Sequence, residues 1–140
     1  MKPARTWTQR LHDPRPHELK AAPISIAGMR AGQWMLVPSA RLIDDFVRHI
    51  PRGQSMDARQ LRAALAAAHG TEVCCPITTG FHLRTVAEAV GEALAQGESI
   101  TRVTPVWRVL PAGAPTWAKL SFDVSVLRRQ RQLEGLDDTV

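Results

Sequence analysis

Residues 40–70 read ARLIDDFVRHIPRGQSMDARQLRAALAAAHG, and they hold two helices with the turn between them. In residues 40–50, Leu42, Ile43, Phe46, Val47 and Ile50 fall at helical spacing on one face, while Asp44, Asp45, Arg48 and His49 fall on the other. That pattern predicts an amphipathic helix. Pro38 stops the run before it and Ser39 offers an N-cap, whereas Pro51, Arg52 and Gly53 end the helix. Asp57 with Gln60 three residues later has the pattern of a capping box. It opens a second helix over residues 58–69, closed by Gly70, with Leu61 and Leu65 marking the buried face. Two helices joined by a turn raise a helix-turn-helix arrangement.

Downstream, residues 71–80, TEVCCPITTG, read as a turn-rich linker, and a third helix is predicted from about Phe81 to Gln96. Its apolar stripe is Leu83, Val86, Ala87, Val90 and Leu94, and Gly97 is its stop. In residues 100–110, ITRVTPVWRVL, the residues Ile100, Val103, Val106 and Val109 have strand composition. Pro105 removes a ladder donor, so this strand is expected at a sheet edge or a strand end. PAGAPTW, residues 111–117, reads as a loop, and a last helix is predicted near residues 122–135 with Gly135 as its terminator. Upstream, residues 24–37 contain two short apolar runs around a glycine-containing turn, which suggests short strands. Residues 1–23 carry four prolines and no periodicity, the signature of a basic, extended arm that orders only against the domain or a partner. Residues 137–140 form an acidic tail.

At 140 residues the chain suits one domain, and 44% hydrophobic with 22% charged residues is ordinary globular composition. The formal charge is +5, and 15 of the 18 basic residues are arginine. Arginine favours bidentate contact with phosphate or carboxylate, although a GC-rich genome produces the same bias with no function behind it. No apolar stretch approaches the roughly 18 residues of a membrane span, and residues 1–16 lack the apolar core of a signal peptide. A cytoplasmic protein without membrane partners is therefore expected. Cys74 and Cys75 are adjacent, so a mutual disulfide would be strained, and both are read as thiols. With five scattered histidines and no zinc-type spacing, neither a metal nor a cofactor is expected.

The order helix, IPRGQ, capped helix, turn, small-residue helix, P-x-x-R segment, loop and terminal helix ending in Glu134-Gly135 resembles the DNA-binding domain of 6-O-alkylguanine-DNA alkyltransferases. It resembles their non-catalytic alkyltransferase-like relatives still more. The family segment I-P-x-G-x-V-x-[ST]-Y-G-x-[IL] is matched by Ile50, Pro51, Gly53, Gln60 and Leu61, with Ala58 where the family has tyrosine. Glu88-Ala89-Val90-Gly91 stands for the family's R-A-V-G, and Pro105-Val106-Trp107-Arg108 stands for P-C-H-R. Leu133-Glu134-Gly135 looks like the end of the terminal helix, whose glutamate completes the family's Cys-His-Glu relay. The resemblance spans roughly residues 38–136 and implies an α/β fold in a single small domain of winged helix-turn-helix type, mostly helical with short strands, over residues 24–136.

The departures bear on chemistry. Transfer of an alkyl group to the protein needs an activated thiolate. Val106 supplies none, and the indole of Trp107 accepts no proton. The resemblance therefore implies a binder of duplex DNA, able to sense 6-O-alkylguanine and pass the lesion to a repair-protein partner, rather than an enzyme. Phosphate contacts are assigned to Arg59, Arg62 and Arg102, against the alternative of a solvated face. In the family an arginine replaces the extruded base; Glu88 occupies that place, and Arg84 one turn earlier is read either as the substitute or as a solvated helix arginine. Thr78, Thr79 and Gly80 would present amides and hydroxyls to a phosphate at the start of the third helix, or serve as ordinary caps. Pro105, Val106, Trp107 and Arg108 border the expected base pocket, with Trp107 either a stacking surface or a core aromatic beside Phe46 and Leu127. Two other readings stand beside this one: a protein-interaction module without DNA affinity, and a thiol-dependent transferase using Cys75 near a helix N-terminus.

Overall fold

The computed structural model describes residues 4–136. Ser39 caps the helix α2, Ala40–Arg48, accepting from the Leu42 amide, and the helix buries Ala40, Ile43 and Val47. Asp57 and Gln60 form the reciprocal capping box that starts α3, Ala58–Ala68, which buries Leu61, Leu65 and Ala66. Before these helices, in chain order, come α1 (Trp7–Leu11), β1 (Glu18–Ala21) and β2 (Trp34–Val37); after them come β3 (Val73–Cys74), α4 (Pro76–Ala95) and α5 (Ser125–Leu133). Two 3-10 turns, Val106–Val109 and Pro115–Lys119, lie between α4 and α5. The result is a small α/β domain.

The strands form one sheet in the order β1-β2-β3. β1 runs antiparallel to β2 with Leu19 opposite Leu36, and β3 runs parallel to β2 with Cys74 opposite Leu36. The 20-residue α4 is the central element, packed by α1, α2 and α3, and its buried residues include Leu83, Val86, Ala87 and Val90. They share one core with Leu36, Ile43, Val47, Leu61, Leu65, Val106, Leu110 and Leu127. A smaller cluster of Ala22, Met29, Met35 and Cys75 sits beneath the β1–β2 hairpin.

Several expectations are corrected. Residues 100–110 form no strand; 103–107, 109 and 110 are buried without the alternation of a strand, and Val106–Val109 form a 3-10 turn that Pro105 opens. The third helix begins at Pro76 rather than near Phe81, with proline in the first turn and Cys75 as N-cap. Thr78, Thr79 and Gly80 thus lie inside α4 and not in a turn ahead of it. The segment read as an extended arm carries α1 and β1. Thr6 and Gln9 make a capping box for α1, Leu11 is buried, and the Trp7 and Thr8 amides donate to Glu92 of α4 at 3.0 and 2.8 Å. The acidic tail, 137–140, lies outside the described residues.

Candidate functional site

Trp107 and Arg108 are held in place by one carboxylate. Glu134 follows the last turn of α5 with a fully buried side chain. It accepts from Trp107 Nε1 at 2.6 Å, from Arg108 Nε at 2.9 Å and Nη2 at 3.1 Å, and from the Gly53 amide at 2.8 Å. Burial alone would push this carboxyl up, but the bonds from Arg108, the Gly53 amide and Trp107 outweigh it and hold Glu134 below the usual carboxylate range. Arg108 Nη1 also donates to the Ile50 carbonyl at 2.7 Å, so the 50–53 turn, the 3-10 turn and α5 are fastened at a single point. Arg131, buried on α5, adds a bond to the Trp107 carbonyl at 2.6 Å.

Around this point lies an open cavity of about 330 Å3 lined by Arg48, Arg52, Arg102, Pro105, Trp107, Arg108 and Glu134, among others. Arg108 is compensated by Glu134, and Arg48 by Asp44 at 3.1 Å. Asp44 is buried and also takes the hydroxyl of Thr104. Among the described residues no carboxylate lies within ion-pair distance of Arg52 or Arg102. The cavity therefore has an excess of positive charge carried by two exposed guanidiniums over a rigid floor, an arrangement suited to phosphate or carboxylate oxygens. Arg48 and Arg52 were not singled out from sequence. Arg52 stands inside the quoted IPRG turn, which was the available signal.

Val106 is fully buried in the core and lines no part of this cavity, so its assignment to a base pocket is corrected. Trp107 belongs to the core cluster with Leu127, and Phe46 packs against that cluster; buried as it is, Trp107 still borders the cavity. A second, more apolar cavity of about 330 Å3 shares the 3-10 turn and is lined by Ala58, Arg59, Leu83, Val109, Leu110 and residues 111–116.

The other assigned residues are dispersed. Arg59 and Arg62 border a different cavity of about 350 Å3 beside Glu72 and Cys74. Arg102 alone of the three expected phosphate ligands reaches the arginine cavity. Arg84 turns toward α1, its guanidinium 5.1 Å from the centre of the Trp7 ring and 3.6 Å from Glu88. Glu88 through Gly91 are buried, and Glu88 accepts from the amide and hydroxyl of Ser121. The stretch aligned with the family's recognition helix is thus committed to packing, because Gly91 abuts the ring of Phe122. Thr79 is buried and donates to the Cys75 carbonyl at 2.7 Å, while the Thr78 amide and hydroxyl point at Cys75 Sγ, at 3.5 and 3.2 Å. Gly80 is exposed but sits beyond the first turn. The N-cap of α4 is Cys75, which accepts from Thr78, and none of the three residues is itself the cap. Burial pushes the Cys74 thiol up, which disfavours its thiolate.

Among the described residues no three His, Cys, Asp or Glu side chains gather as a metal site, and no helix is long and apolar enough to cross a membrane. No protein-family model, curated protein or solved structure matches the chain.

Proposed function

We propose that this protein is a non-catalytic DNA-binding protein of the alkyltransferase-like type, with a winged helix-turn-helix built on α2, α3 and α4. The observation that carries the reading is the convergence of Arg48, Arg52, Arg102 and Arg108 on one cavity at the segment 105–108, where the resemblance puts a reactive centre. Glu134 meets Trp107 there, as a relay glutamate would meet histidine, but an indole N–H only donates. The residue at the cysteine position is a buried valine. Without a nucleophile or a base, the site binds and does not transfer. Arg52 and Arg102 contact backbone phosphates, and the apolar cavity beside Val109 is the space left for an extruded base. The phosphate ligands are thus reassigned from Arg59, Arg62 and residues 78–80 to Arg52 beside Arg102 in the arginine cavity.

The test is an anisotropy titration of matched duplexes with and without one 6-O-methylguanine, at two salt concentrations. Tighter, salt-sensitive binding to the modified duplex supports a lesion sensor. Salt-sensitive binding without preference supports a general DNA binder and removes the lesion. Absence of binding to either duplex refutes the proposal and leaves the interaction-module reading.

A further inference from the structure

The β1 edge carries an inference independent of DNA. All four residues of β1 are exposed, and among the described residues no strand pairs with its outer side. Leu19 at its centre is 43% exposed. Exposed Ile24, Ile26 and Trp34 belong to the same hairpin, so apolar surface is concentrated around this edge. An edge of this kind is a template for another strand.

The direction of its backbone groups follows from the ladder. The Ala22 amide donates inward to the Gln33 carbonyl at 2.7 Å, while Trp34 and Leu36 use their carbonyls toward β3, accepting from the Glu72 and Cys75 amides. By alternation, Glu18 and Lys20 bond to β2, and Leu19 and Ala21 turn their N–H and C=O groups outward.

From this we infer that the protein forms a two-fold dimer by antiparallel pairing of β1 with β1 of a second copy, centred on Leu19. Charge selects the second copy as occupant. In that register Leu19 faces Leu19, and Glu18 faces Lys20 on both sides of the axis. These oppositely charged residues fall at the non-hydrogen-bonded positions, where side chains approach most closely. The sequence Glu-Leu-Lys is thus complementary to itself about its central residue. The three-stranded sheet becomes a continuous sheet of twice that width.

Sedimentation velocity over a wide range of loading concentrations tests this on the protein alone. Wild type is expected to pass from monomer to dimer. Glu18→Lys and Lys20→Glu each put like charges opposite one another twice, and each is expected to weaken association about tenfold. The double swap Glu18→Lys with Lys20→Glu restores both pairs and wild-type association. Leu19→Pro removes an outward donor without touching the β1–β2 ladder and is expected to abolish the dimer, with circular dichroism reporting an unchanged fold. A wild type that stays monomeric, a dimer indifferent to these variants, or a double swap no better than the singles would overturn the inference.

Discussion

Replacing Glu134 with alanine removes the acceptor that Trp107, Arg108 and the Gly53 amide share. The carboxylate is fully buried and the Arg108 side chain is 14% exposed, so the variant leaves a nearly buried guanidinium without its counter-charge. Breaking a buried pair from one side costs about 3–5 kcal/mol. Arg108 keeps its bond to the Ile50 carbonyl, which favours the lower end, about 3 kcal/mol. For a chain of this size that lowers Tm by about 10 °C. Urea unfolding followed by tryptophan fluorescence, with a thermal melt, measures it. Glu134→Gln keeps an acceptor and loses the charge, and should fall between wild type and alanine. The pH dependence has a fixed sign. Because the folded carboxyl is held below its unfolded value of about 4.3, its contribution is complete above that pH and is lost as pH falls through the folded value. The gap between wild type and Glu134→Gln should therefore close only in acid. An alanine variant within about 1 kcal/mol of wild type would refute the fastening role.

Gly91→Ala should destabilise by about 1–3 kcal/mol, because its Cβ would overlap Phe122, and Phe122→Leu in the same chain should recover part of the loss in a urea melt. Thr104→Val removes the hydroxyl that satisfies buried Asp44 and should cost about 1–3 kcal/mol by the same assay. In the folded protein Cys74 should resist an aromatic disulfide reagent at neutral pH and react once unfolded. Rapid labelling of Cys74 in the folded protein would reopen thiol chemistry at this turn.

The helices α2 and α3 were legible because every local signal agreed: Ser39 and Asp57 as caps, apolar residues at helical spacing, and proline or glycine after each. The start of α4 was not, because its N-cap is a cysteine, outside the usual cap residues, and Gly80 inside the helix mimics a breaker. The valines at 103, 106 and 109 suggested a strand by composition, yet their spacing of three conflicts with the alternation a strand requires. α1 held a Thr-x-x-Gln capping box in view, but five residues form a helix only because Leu11 and Glu92 anchor them to α4. In the site, a meeting of Trp107 with Glu134 was an expectation drawn from the resemblance and not from spacing. The contribution of Arg48 and Arg52 was not, since no periodicity records that the 50–53 turn packs beside a segment some fifty residues away.

The most direct test of the account is the salt dependence of duplex binding by wild type and by the Arg52→Ala, Arg102→Ala double variant. If both guanidiniums meet phosphates, the double variant binds more weakly, and its slope of log affinity against log salt is shallower by about 2. An unchanged affinity and slope would contradict the assignment of this arginine cavity to DNA.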